Sequence, residues 1–129
     1  FHMPPAEFKE AYEKMKLGDH SVIYEHGSIG EKDEYFGISN RPPHFFEKAV
    51  DNGWLKWIFC GHDHLNTLSL TYKGIRMTYG MSIDYLGYSG IAKQYIQRGA
   101  TLITRKTNGN IDITMVPLTT VVSTRVRGA

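Results

Sequence analysis

The chain has 129 residues, 41% of them hydrophobic and 22% charged, with a formal net charge of +2, the make-up of one ordinary globular domain with a modest core. Its single cysteine, Cys60, excludes an internal disulfide, and no apolar run approaches the ~20 residues of a membrane-spanning helix. The charge is divided. Residues 1–66 hold 7 Lys/Arg against 11 Asp/Glu, net −4, and residues 67–129 hold 8 against 2, net +6. A basic half favours anionic ligands, but its charges are scattered rather than run together. They fit a solvated strand face and argue against nucleic acid as a partner. No signal-peptide pattern opens the chain, and nothing points to a compartment.

In chain order, "FHMPP" poses the first question, whether His2 is the remnant of a cloning junction or a working residue. "PPAEFKEAYEKMKLG" has proline at its start, early acids, and Phe8, Ala11, Tyr12 and Met15 on one face. It predicts a helix over about 5–17, stopped by Gly18. Residues 18–41 read as a long loop. "NRPPHFFEKAVDNG" repeats the helix pattern, with Gly53 past its end. "WLKWIFC" (54–60) predicts a buried strand ending at Gly61. "TLSLTYKGIRMTYG" alternates around Lys73-Gly74 and predicts a hairpin. A Gly- and Tyr-rich connection follows, too long to be idle. In "ATLITRKTNGNIDITMVPL" two alternating strands flank Asn108-Gly109, expected as a two-residue turn. The sum is α+β, or layered α/β, with a mostly antiparallel sheet and flanking helices.

The chemistry concentrates in "GHDH", directly after the strongest strand. Neutral imidazoles ligate Zn, Fe and Mn well. In an extended segment His62 and His64 point the same way, whereas a turn lets them reach two neighbouring metals. Taken alone, the pair fits a hydrogen-bonded loop better than a metal site. His20, His26 and His44, in loops or at a helix start, are read as solvent-exposed residues or caps. Cys60 reads as a small buried hydrophobe. Arg98 reads as a surface charge, with contact to a phosphate as the alternative.

"IFCGHDHLN", placed after an amphipathic helix and before a hairpin ending in "YG", resembles the calcineurin-like metallophosphoesterases. "FHMPPAEF" has the form of that family's His-x-Pro strand end followed by a helix. "GIRMTYGMSIDYLGYSG…QRGA" is similar to the purple-acid-phosphatase-like branch, often labelled serine/threonine phosphatase. The likeness runs from Phe1 to about Pro117.

It implies half of a four-layer α/β/β/α sandwich and a centre of two divalent or trivalent transition-metal ions (Mn, Fe or Zn). Such a centre hydrolyses phosphate mono- or diesters through an activated hydroxide. Carried over, His2 and His62 ligate one metal and His64 the other. Asp63 either orients a ligand histidine or faces solvent, and Asn66 is a turn residue or a pocket hydrogen-bonder. Tyr79, Tyr85 and Tyr88 contact substrate or pack on the sheet.

The family's Asp-x-His, Gly-Asp-x-x-Asp and Gly-Asn-His motifs are absent, since the one Gly-Asp, Gly18-Asp19, lacks the second aspartate. The expectation is therefore the C-terminal half of such a domain, inactive by itself. It should associate with the missing N-terminal half or with itself through exposed apolar surface. The alternative is a stand-alone metal-binding or interaction domain without catalysis.

Overall fold

The computed structural model describes residues 1–40, 44–87, 89–94 and 97–120. Helix α1 (Ala6–Lys16) starts after Pro5 and buries Phe8, Ala11 and Tyr12. It ends in a Schellman motif. Gly18 has φ 78°, and Gly18 N and Asp19 N donate to Met15 O and Lys14 O at 3.0 Å each. Helix α2 (His44–Asn52) buries Phe46 and Ala49. The prolines expected to open it, Pro42 and Pro43, lie outside the described residues.

The predicted 18–41 loop contains a strand, β1 (Val22–His26). "VIYEH" is rich in β-formers, but only Val22 is buried and the register shifts between Tyr24 and His26. An edge strand with a bulge shows no period-2 pattern, so its composition alone marked it. His26 accordingly ends a strand and is no loop residue. Its Nε2 is buried without a hydrogen-bond partner, and burial, then the Arg76 charge, holds its pKa down.

Strands β2 (Trp57–Cys60), β3 (Ser69–Tyr72) and β4 (Ile75–Tyr79) join β1 in one sheet of order β1-β3-β4-β2. The β3–β4 hairpin has the expected two-residue turn. Tyr72 pairs with Ile75, and Lys73 and Gly74 both take positive φ, 49° and 79°, as a type I′ turn requires. β1–β3 and β3–β4 are antiparallel, whereas β2 runs parallel to β4.

β5 (Gly99–Arg105) and β6 (Ile111–Pro117) form a separate two-stranded sheet. Its turn differs from the two-residue form expected. Only Gly109 takes positive φ (86°), Gly109 N donates to Lys106 O at 3.1 Å, and Lys106 N donates to Asn110 O at 2.8 Å. That is a three-residue loop with glycine in the bulge position.

The core lies on one face of the four-stranded sheet. Ile58, Cys60, Leu70, Tyr72, Ile75, Met77 and Tyr79 meet Phe8, Ala11, Tyr12, Phe36, Phe46 and Ala49. Each large apolar side chain so buried contributes about 1.5–3 kcal/mol. The opposite face is polar. Ser69 Oγ and Thr78 Oγ1 are 2.7 Å apart, Arg76 Nε donates to Ser69 Oγ at 2.9 Å, and Thr71 Oγ1 donates to Glu25 Oε1 at 2.7 Å. Among the described residues no helix is long and apolar enough to cross a membrane.

Because β2 and β4 are parallel with Cys60 paired to Tyr79, both strands end side by side. The connections 61–68 and 80–98 leave from the same end of the sheet, where ligands commonly gather beside parallel strands.

Candidate functional site

Gly61 leaves β2 and the chain reverses at once. His62 has φ 73°, and Asp63 N donates to Gly61 O at 2.9 Å. That i-to-i+2 bond closes a γ-turn of the rare, positive-φ hand, a conformation costing on the order of 1–3 kcal/mol at a residue with a side chain. The turn sends His62 outward and Asp63 inward.

The outer edge of β2 is held by the first two residues. The Phe1 ammonium donates to Phe59 O at 2.8 Å and Gly61 N donates to His2 O at 2.9 Å. The His2 ring is thereby brought to 5.1 Å from the His62 ring, centroid to centroid. Behind it, Gly37 packs so closely that a Cβ would stand 2.1 Å from His62 Cδ2, so this crossing has room only for glycine.

Asp63 is 6% exposed, which removes the solvent-facing alternative. Its Oδ2 accepts from Gly37 N at 2.9 Å and Tyr79 Oη at 2.6 Å, and Gly37 in turn packs against the His62 ring. Tyr79 is fully buried, its ring against Phe8 and Phe36. Burial and the Asp63 carboxylate push its phenol far above the usual value, keeping it a proton donor. Of the two roles considered for Tyr79, this is packing.

Asn66 closes a turn, donating its N–H to Asp63 O at 3.3 Å, and its fully buried side chain is also a staple. Oδ1 accepts from Gly30 N and Glu31 N, both at 3.1 Å, and Nδ2 donates to Tyr35 O at 2.9 Å. Thr67 Oγ1 adds a bond to Gln97 Oε1 at 2.9 Å and accepts from Ser28 N at 3.1 Å. Loop 27–37 is itself tied to α1 by Glu34, which accepts from Tyr12 Oη at 2.9 Å. Lys16 also pairs with Glu34 and holds its carboxyl below the ordinary range.

His64 belongs to a different arrangement. Its ring is 42% exposed, with Nδ1 2.8 Å from Asp84 Oδ2. Asp84 sits in the β4–β5 connection and accepts from Leu86 N and Gly87 N, both at 2.9 Å. The Leu86 N–H, with help from His64, keeps its carboxyl below the usual value. Tyr85 is 59% exposed and its ring stands 5.9 Å from Arg98 Cζ. Tyr88 lies outside the described residues.

Arg98 is not the surface charge expected. It is 6% exposed and donates to Ala92 O at 3.1 Å and Ile83 O at 3.2 Å, stapling the connection to the start of β5. Cys60 is buried, and that burial pushes its thiol up to about 12.

The structure thus brings His2 and His62 together and pairs His64 with Asp84. Among the described residues no group of three or more His, Cys, Asp or Glu side chains is gathered to hold a metal ion. The imidazoles fit as part of a ligand set and lack the carboxylates that would complete it. Sequence reasoning missed Gly37, Asp84 and the stapling role of Asn66. The glycines at 27, 30 and 37 were the available signal that loop 27–37 runs against other backbone.

No family model matches the chain, and no solved structure does. A curated protein of Arabidopsis thaliana named "Probable inactive purple acid phosphatase 14" is 38% identical over 47 residues. The match takes in 36% of this chain and 12% of that protein, so the chain spans a small part of its relative's length. This partial likeness points toward the metallophosphoesterase superfamily and to nothing narrower.

Proposed function

We propose that this chain contributes imidazole ligands to a two-metal phosphoesterase centre. His2, His62 and His64 are its ligands, and the carboxylates come from a further part of the same domain. In that whole domain the sheet described above is one half of a four-layer sandwich. When bound, two Mn, Fe or Zn ions would supply Lewis acidity and activate water for hydrolysis of a phosphate mono- or diester. The chain's own share is positional. The γ-turn turns His62 outward beside His2, Gly37 gives its ring room, and Asp63 fixes Gly37 from within. The observation that carries the reading is the approach of two imidazoles, far apart in sequence, at the C-terminal end of the edge strand β2.

Alone, the chain is expected to take up metal without turnover. Metal analysis after dialysis against Mn, Fe or Zn, with the His62→Ala/His64→Ala double variant alongside, tests this. Uptake that the double variant does not reduce would end the reading. The word "inactive" in the relative's name favours a second reading, a metal-binding domain without catalysis. Hydrolysis of p-nitrophenyl phosphate by a longer chain carrying the missing carboxylate motifs would exclude that one.

A further inference from the structure

The carboxylate nearest a candidate ligand is Asp84, on a different loop from the histidine motif. It stands twenty residues beyond His64 in sequence, with Oδ2 2.8 Å from His64 Nδ1. A deprotonated carboxylate can only accept, so the ring nitrogen facing it carries the hydrogen, and in neutral imidazole the other nitrogen holds the lone pair.

We propose that Asp84 is a positioning residue for His64, fixing its proton on Nδ1 and presenting Nε2 as the nitrogen that reaches a metal ion. This rests on the reading of His64 as a ligand. A carboxylate behind a ligating histidine orients the ring and raises its basicity.

The carboxylate is itself held in place. Oδ1 accepts from Leu86 N, Oδ2 from Gly87 N, and Asp84 N donates to Ser82 Oγ at 3.1 Å. Next to it, Arg98 ties down Ile83 O, so the loop carrying Asp84 is rooted in the protein interior. Gly87 completes the arrangement. A Cβ there would lie 2.2 Å from Asp84 Oδ2 and 3.0 Å from His64 Nδ1, so any larger residue wedges the pair apart. A casual surface ion pair would need neither the rooted loop nor the glycine.

Long-range 1H–15N NMR on the metal-free chain at about pH 8, where imidazoles are neutral, reads the tautomer directly. The expected result is His64 chiefly as Nδ1–H. Asp84→Ala and Gly87→Ala should each return it to the Nε2–H form that an unrestrained imidazole prefers. In a Zn(II) titration, Asp84→Ala should weaken the His64-dependent uptake by roughly 10–100-fold. His64 found as Nε2–H in the wild type overturns the proposal whether or not the variants fold, and so does a tautomer indifferent to Asp84→Ala. A wild-type Nδ1–H form that Asp84→Ala abolishes, with Zn(II) uptake indifferent to His64→Ala, upholds the orienting pair and overturns the metal reading beneath it.

Discussion

The two connections that leave the adjoining ends of β2 and β4 are built on opposite plans. Residues 61–68 are anchored from within. Asp63, Asn66 and Thr67 are buried polar residues whose hydrogen bonds reach Gly37, Gly30, Glu31, Tyr35 and Ser28. Residues 80–87 are anchored at the root by Arg98 and expose Ile83, Tyr85 and Leu86. His62 and His64 thus leave a rigid platform, while Asp84, the partner of His64, rides on a looser one. Buried polar wiring is costly when incomplete and fixes a single geometry when complete, so the difference is one of tolerance as well as of motion.

The largest test of that contrast is Asn66→Ala. It removes the partner of two half-buried N–H groups and one carbonyl, and should cost about 3 kcal/mol in urea unfolding at ~1–3 kcal/mol for each group that water does not rescue. Tyr85→Ala, on the exposed loop, should stay within about 0.5 kcal/mol. Equal costs would break the comparison.

Tyr79→Phe comes next. It removes a hydrogen bond to a buried carboxylate without changing shape, and a loss of about 1.5–2 kcal/mol is expected by the same measurement. A neutral outcome would mean that Asp63 does not depend on Tyr79.

The smallest effect is a pH effect. His26 directly precedes the wired loop, and its folded-state pKa lies below the ordinary 6.5. The folded state therefore resists taking up the proton. Stability is fully present above pH 6.5 and is lost as the pH falls through the lower folded value. Acidification should lower the amide-exchange protection factors of Gly30 and Glu31, corrected for the intrinsic rate at each pH, before those of Leu86 and Gly87. His26→Gln should remove that order, and acid protection of Gly30 would contradict it.

Much of this was legible in the sequence wherever local chemistry decides. The Pro-to-Gly frame of α1, the aromatic run of β2 and the Lys73-Gly74 turn are all short-range signals, and each marks its element, although β2 is shorter than 54–60 and half-buried at the sheet edge, with Trp54 exposed. β1 escaped because a bulged edge strand has no alternating pattern. The parallel β2–β4 pairing escaped because register between distant strands is written in no local window. The site divided in the same way. His2, His62 and His64 stood out as residue types. Asp84 did not, because an aspartate among glycines and tyrosines reads as a turn residue. Asp63 was weighed as an orienter of a histidine and proved to face inward, since the positive φ of His62 reverses the chain at the residue before it.

The short attachment along β2 has a thermodynamic consequence. Two backbone hydrogen bonds, from the Phe1 ammonium to Phe59 O and from Gly61 N to His2 O, keep the His2 ring at high effective concentration beside His62. Whatever the two rings grip together therefore tightens that attachment, and by reciprocity the adhesion of residues 1–2 to the sheet sets the strength of the grip. A ligand added to this corner would be read out as closure of the sheet edge.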